Sequence, residues 1–420
     1  MARTTIWHPF TQHGLEPLET EILRGRGAWL ETTDNRRVLD AISSWWVVTH
    51  GHRHPVIIEA IKAQADRLDQ VIFAGCTHPT ADALANKLVS IAPPGLAHVF
   101  FSDSGSTSVE VALKMALGYW RGIGEPRTRI AALDHGYHGD TIGTMSAGSR
   151  GVFNATYEPL LFDVVRIPFP DPGREQTTLD ALEAACREAP LVALIVEPLI
   201  AGAGGMRIYS AATLAEMKRI CAHHGALLIV DEVMTGWGRT GTLFACEQAG
   251  ITPDIMCLAK GLTGGSLPLA ATLASPAVYD AHFSEDRTRT LFHSSSFTAN
   301  AICCAAALAN ITIWEEEPVL DRIARVAEMQ LSHVAALAED ARFENPRCLG
   351  TIGAIDLRVP DGGYLATAGL ALRAHFLSQG VLLRPLGNTI YVMPPYCVTA
   401  SDLALAYGAI RDIPAEITSA

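Results

Sequence analysis

Apolar positions along the chain fall into two kinds of pattern. In the middle, short continuous apolar runs occur at residues 99–101, 130–133, 191–196, 226–230, 255–258 and 269–273. Each is too short for a helix and lacks the alternation of a half-exposed strand, so each predicts a strand covered on both faces. Longer segments with helical spacing lie between them, notably at about 107–120 and 211–223. Strand and helix in alternation predict an α/β architecture: a mostly parallel sheet with helices on both sides.

The ends read differently. From residue 351 the pattern predicts a strand (351–359), a helix (366–379) and two more strands (381–383 and 390–393). Residues 27–41 predict strands around a turn at Thr33-Asp34-Asn35-Arg36. We expect residues 1–49 and 311–420 to form one small α+β domain beside a large domain of residues 50–310.

Composition narrows the class. The 420 residues are 49% hydrophobic and 18% charged, which excludes a disordered chain and leaves room for two or three domains. A net charge of −12 makes nucleic acid an unsuitable partner. Nine cysteines without a CxxC pair count against a disulfide framework or a zinc ribbon. The first residues lack the apolar core of a secretory signal, and no run is long enough to span a bilayer, so a soluble protein of a reducing cytoplasm is expected.

Only five of the 32 basic residues are lysines, and one of them is placed unusually. Lys62, Lys87, Lys114 and Lys218 sit in helix-like segments. Lys260 instead closes an apolar strand and opens the glycine-rich turn Lys260-Gly-Leu-Thr-Gly-Gly265. Ligands bind at the carboxyl ends of strands in such sheets, and glycines let backbone approach a flat ligand. Asp231 closes the 226–230 strand in the same way. A lysine that can form an imine and a carboxylate that can hold a proton on a pyridine nitrogen are the two protein groups that pyridoxal 5'-phosphate requires. Asp103-Ser-Gly-Ser, between a strand and a long helix, offers free amides for a phosphate, although serines there are also ordinary helix caps. Gly202-Ala-Gly-Gly205 lacks the spacing of a dinucleotide fingerprint.

Other features are less specific. His50, His52 and His54 alternate, but Gly51 and Pro55 favour a turn over a metal site, and no metal is expected. In a strand, the adjacent Trp45 and Trp46 would face opposite ways, so one of them is expected to line a pocket. Tyr137, in Gly136-Tyr-His-Gly139, is a candidate to stack on a flat ring.

In order along the chain, Asp103-Ser-Gly-Ser, Gly136-Tyr-His-Gly139, Glu197-Pro198, the run from Asp231 to Gly241 ending Gly-Arg-Thr-Gly, and Ala259-Lys-Gly-Leu-Thr-Gly-Gly265 resemble the class III aminotransferases, fold-type-I pyridoxal phosphate enzymes. Trp7-His-Pro-Phe-Thr-Gln12, Ser43-Ser-Trp-Trp46, Thr49-His-Gly51 and Arg384-Pro with Tyr391-Val-Met-Pro-Pro-Tyr396 resemble the diaminopelargonate synthase branch of that family. The resemblance implies amino transfer to 7-keto-8-aminopelargonate in biotin synthesis, commonly from S-adenosylmethionine, by a homodimer with its site at the subunit interface. It implies that Lys260 holds the cofactor and moves the proton, and that Asp231 pairs with the ring nitrogen. Gly105 and Ser106 would cradle the phosphate, Tyr137 would lie near ring and substrate, and Ser295 and Ser296 would reach the phosphate of the partner subunit. Phe10, Trp45, Trp46, Ser294, Arg384 and Tyr391 fall on the substrate side, with Arg384 meeting a carboxylate.

Three positions depart from the branch. Phe10 stands where adenosylmethionine-using members carry Tyr and lysine-using members carry Phe. His293-Ser-Ser-Ser-Phe297 replaces the usual His-Gly-Pro-Thr-Phe, and Ala201 replaces Gln. The alternatives are therefore the same acceptor with lysine as donor, or another class III ω-amine transaminase.

Overall fold

The structure is a computed structural model that describes residues 5–16 and 20–418. Its largest sheet has seven strands in the spatial order His98–Ser102, Ala270–Ala274, Ile255–Leu258, Leu227–Asp231, Leu191–Val196, Arg129–Leu133 and Val165–Ile167. The last five are mutually parallel. Ala270–Ala274 runs antiparallel to both neighbours, an exception that its apolar run could not reveal, because a doubly covered strand has the same pattern in either direction. Every residue of Leu191–Val196, Leu227–Asp231, Ile255–Leu258 and Ala270–Ala274 is buried, which is why these runs are continuously apolar.

Strand direction positions the chemistry. Leu227–Asp231 and Ile255–Leu258 are adjacent and parallel, with Asp231 opposite Cys257, so Asp231 and the following Lys260 emerge at the same carboxyl edge. His98–Ser102 leads at that edge into the helix Gly105–Gly122. Ser104 caps the helix by accepting from the Thr107 amide at 3.2 Å, and the Thr107 hydroxyl accepts from the Ser104 amide at 3.0 Å.

The two chain ends meet in a smaller sheet. Trp29–Thr32 and Arg37–Asp40 form the expected hairpin, and Arg37–Asp40 pairs in parallel with Val381–Leu382, placing Leu39 opposite Val381. Phe343–Leu349, Ile352–Leu357 and Thr389–Val392 form a separate three-stranded sheet. Leu39, Leu372, Phe376, Ile390 and Tyr407, drawn from both ends, share one apolar core. The helix Ala301–Glu316 runs through residue 310 without a break.

Residues 43–46 are not a strand. Ser43–Trp46 is a single helix-like turn with positive φ at Ser43, Ser44 and Trp46, so the two tryptophans escape the alternation of a strand. The histidine segment is also a turn. Pro55 opens the helix Pro55–Ala65, and His50, His52 and His54 pair separately with Asn310, Asp40 and Glu317. Among the described residues no cluster of potential metal ligands occurs, and no helix is long and apolar enough to cross a membrane.

Candidate active site

A cavity of about 460 Å³ opens at the carboxyl edge of the large sheet, and Lys260, Asp231, Tyr137, Gly105 and Ser106 all line it. Lys260 has a left-handed backbone (φ 47°), an unfavourable conformation for a side chain of its size, which bends the chain out of its strand. Its neighbours Ala259, Gly261 and Leu262 are buried, while the lysine itself is open to the cavity. Burial pulls the ammonium below the ordinary lysine value, against the opposing pull of Asp231 and Glu197. Its Nζ lies 5.1 Å from the Trp46 ring centroid and has no hydrogen-bond acceptor among the described residues. A lysine so placed can become a neutral nucleophile and a proton carrier.

Asp231 is buried at the end of its strand. Its Oδ1 accepts from the Val233 amide at 3.1 Å, and its Oδ2 is 2.8 Å from His138 Nδ1. The other ring nitrogen of His138, Nε2, is buried without a hydrogen-bond partner among the described residues. His138 adjoins Tyr137 in the same Gly136-Tyr-His-Gly139 motif, but its working partner is distant in sequence. No local pattern announces the pair, since the two residues are 93 positions apart. Glu197, in the Glu197-Pro198 step, acts through the backbone. It accepts from the Tyr137 amide at 2.9 Å and the Gly202 amide at 3.0 Å, and burial pushes its carboxyl up to about 7. It thereby fixes the backbone that carries Tyr137. Burial also raises the Tyr137 phenol well above its ordinary value, keeping it neutral.

The start of the helix Gly105–Gly122 completes the cavity. The amides of Gly105 and Ser106 have no acceptor among the described residues. A Cβ on Gly105 would come within 2.6 Å of Val233 Cγ1, so the helix can approach this closely only with glycine there. Free amides at the positive end of an 18-residue helix suit a phosphate. The donor set therefore fits pyridoxal phosphate: amides for the phosphate, a buried carboxylate for the ring nitrogen, and an unpaired lysine between them.

Against this cavity lies a second chamber of about 390 Å³, walled by Phe10, Trp45, Phe153, Arg384 and Tyr391, with Trp46, Val47, Tyr137 and Lys260 shared between the two. Trp46 Nε1 donates to the Tyr391 hydroxyl at 2.9 Å, and Trp45 packs edge-on to Phe10 at 5.6 Å. Both tryptophans thus line the chamber, whereas strand alternation would place only one of them there. The half-buried Arg384 donates to the Phe10 carbonyl at 2.7 Å and has no carboxylate partner among the described residues. Burial, with Arg373 nearby, lowers its guanidinium value, and a carboxylate entering the chamber would supply the charge partner it lacks.

Ser294, Ser295 and Ser296 line neither space. Ser295 Oγ donates to the Asp103 carboxylate, Ser294 Oγ donates to the Ser295 carbonyl at 3.2 Å, and the Ser296 carbonyl accepts from Gln70 at 3.1 Å.

Comparison with known proteins agrees with this geometry. The family model described as aminotransferase class-III matches residues 10–413. An adenosylmethionine-8-amino-7-oxononanoate aminotransferase of Synechococcus elongatus is 46% identical over 423 residues, covering 98% of this chain and 99% of the relative. A protein of the same name from Geobacter sulfurreducens is 38% identical, covering 96% and 93%. Among solved structures, one so named from Methanocaldococcus jannaschii has a TM-score of 0.92 at 34% identity, covering 97% of each chain. An amine transaminase from an uncultivated Pseudomonas species, in its PLP-bound form, has a TM-score of 0.92 at 33% identity, covering 98% of each chain. The chain belongs to the class III aminotransferase family, enzymes that depend on pyridoxal phosphate.

Proposed function

We propose that the chain transfers an amino group to the ketone of 8-amino-7-oxononanoate (7-keto-8-aminopelargonate), giving 7,8-diaminononanoate in biotin synthesis, with S-adenosylmethionine as donor. The observation that carries this is the second chamber: aromatic walls, a lysine at one side and, at another, an arginine with no carboxylate partner among the described residues. An apolar chain with a ketone near one end and a carboxylate at the other matches that distribution. The names of the relatives point the same way.

Lys260 would hold the cofactor, Asp231 would pair with its ring nitrogen, and the Gly105 and Ser106 amides would take its phosphate. When bound, the cofactor supplies an electron sink that allows the C–H bond beside the transferred nitrogen to break and re-form. The chain's own work is to position and to move protons. Lys260 Nζ, neutral when released, takes and returns that proton. The Asp231 carboxylate, oriented by His138 Nδ1, keeps a proton on the ring nitrogen. Arg384 orients the acceptor through its carboxylate, and the tryptophan walls exclude water.

We further infer a homodimer. Ser295 and Ser296 would complete the partner's phosphate site, a reading supported by their exclusion from their own cavity and by the exposure of the flanking Phe292 and Phe297. Residues 50–310 would act as the cofactor domain, and the two ends as the small domain that carries the substrate wall. Nine free cysteines suit a reducing cytoplasm.

The test is turnover of 8-amino-7-oxononanoate with S-adenosylmethionine and, separately, lysine, followed by appearance of the diamine and by the visible absorbance of each half-reaction. Loss of the cofactor band with S-adenosylmethionine supports the proposal. A response to lysine alone assigns the other donor, which Phe10 favours. Activity on simple amines with none on the keto acid overturns the proposal in favour of an amine transaminase.

A further inference from the structure

The turn that presents both tryptophans is held from behind by a carboxylate outside the chemistry described so far. Ser43, Ser44 and Trp46 have φ of 55°, 60° and 66°, and none is glycine. Three such residues within four positions do not persist unless their surroundings hold them there. Asp40, at the end of the strand Arg37–Asp40 and fully buried, supplies much of that hold. Its carboxylate accepts from the Ser44 amide at 2.8 and 2.7 Å, from the Ser44 hydroxyl at 3.1 Å and from the Ile42 amide at 3.4 Å. Behind it, His52 Nε2 lies 2.8 Å from Oδ2, and the His52 backbone is itself bridged to Gly27 in both directions.

The far side of the turn is fastened separately. Ser43 Oγ donates to the Met393 carbonyl at 2.8 Å, and Arg239 donates to the carbonyls of Trp46 at 3.4 Å and Val48 at 2.9 Å. These contacts fix where the turn sits, while Asp40 fixes its internal shape at Ser44. That shape sends Trp45 to within 5.4 Å of the Arg384 guanidinium and Trp46 to the Tyr391 hydroxyl and Lys260. Asp40 lines neither space of the active site.

We propose that Asp40, backed by His52, is a positioning residue for substrate: by holding the left-handed turn at Ser44 it sets the Trp45 and Trp46 walls without touching substrate or cofactor. The inference rests on the reading of the second chamber as the substrate side. It predicts that loss of the carboxylate loosens the walls and leaves the cofactor end intact, since Lys260, Asp231 and Gly105 are held by the large sheet.

The test is a double-mutant cycle on the holoenzyme with Asp40→Ala, Trp45→Phe and the two combined, alongside Asp40→Asn, whose amide oxygen can still accept from the Ser44 amide. KM for 8-amino-7-oxononanoate should rise about tenfold in Asp40→Ala and less in Asp40→Asn, a size typical of a displaced binding wall. The visible absorbance of the cofactor and kcat with a short amine should hold. The combined variant should be no worse than the worse single one, because Asp40 acts through Trp45. An unchanged KM, additive losses, or equal loss of cofactor and of both substrates would overturn the proposal. If Asp40→Ala does not fold, His52→Gln against His52→Ala carries the same test, with Gln expected to restore KM. Absence of any wild-type turnover of the keto acid would overturn the proposed function alone. The cycle is then run with a long amine that the wild type accepts, and its additivity still decides.

Discussion

Asp231 closes a strand whose every residue is buried, and Lys260 follows another, whereas Phe10 and Trp45 are 40% and 41% exposed and stand on segments near the chain ends. The first pair is placed by a sheet packed on both faces, where a shift of one residue would turn apolar side chains into helices. The second pair is placed by a handful of hydrogen bonds across turns: Arg384 to the Phe10 carbonyl, Trp46 to Tyr391, and Asp40 to Ser44. A packed frame suits the half of the site that performs one fixed chemistry. A hydrogen-bonded frame suits the half that chooses substrates, because single substitutions there change a contact without disturbing a core.

If that division holds, the largest effects come from the sheet edge. Lys260→Ala should cost at least about 10⁴-fold in turnover, since proton transfer by a positioned group alone contributes up to about 10⁴-fold. It should also fail to rescue a strain lacking the biotin-pathway step, with the far-ultraviolet circular dichroism of the fold retained. Asp231→Asn should lose about 10²–10³-fold, the scale of a removed electrostatic partner, while the cofactor remains attached through Lys260. Near-normal turnover in either variant breaks the comparison at its stronger end.

Glu197 tests the same half through stability. Its carboxyl is raised from 4.5 to about 7 by burial, so between those values the folded protein holds a proton that the unfolded chain has released. Stability of the cofactor-free protein should therefore fall as pH rises from about 4.5 to about 7, then level off, with Glu197 contributing roughly 3 kcal/mol. Glu232, raised to about 7 for the same reason, adds in the same direction. Urea unfolding across that window should show a shallower slope in Glu197→Gln, with the share of Glu232 remaining.

The same division explains what could be read from the chain. The strand runs, Lys260, Asp231 and the Gly105 helix start were legible because burial on two faces leaves a continuous apolar signature that stops where the site begins. The pairing of Arg37–Asp40 with Val381–Leu382 was legible only as a general expectation that the ends meet. His138 and Glu197 were not legible as working groups. His138 meets Asp231 across 93 positions, and Glu197 acts by accepting backbone amides, so neither leaves a periodic or compositional trace. Periodicity alone would put only one of Trp45 and Trp46 on the pocket, because alternation holds in strands, and a left-handed turn held by a buried aspartate obeys no such rule.

On the substrate half, Arg384→Ala should raise KM for the keto acid about 10–100-fold, the worth of a charge-assisted hydrogen bond of about 1.5–3 kcal/mol. Turnover of a short amine without a carboxylate should be unchanged. An equal loss on both substrates would mean that Arg384 chiefly supports the Phe10 segment through its 2.7 Å bond, and would give that segment a structural share in the site.

The smallest effect belongs to Phe10, and it separates the two halves most sharply. Its ring packs against Trp45 at 5.6 Å and Phe153 at 6.0 Å, and its carbonyl is held by Arg384, so Phe10→Tyr adds a hydroxyl without moving the backbone. One neutral hydrogen bond is worth about 0.5–1.5 kcal/mol, or about 2–12-fold in affinity. That gain should appear in the donor half-reaction with S-adenosylmethionine, as a lower donor KM, and should be absent from the half-reaction with the keto acid. Equal changes in both half-reactions would show that the added hydroxyl acts on Lys260 or Tyr137, making the aromatic wall part of the catalytic frame. A change confined to the donor would place donor choice in a single side chain on the hydrogen-bonded half, leaving the sheet edge indifferent to which amine supplies the nitrogen.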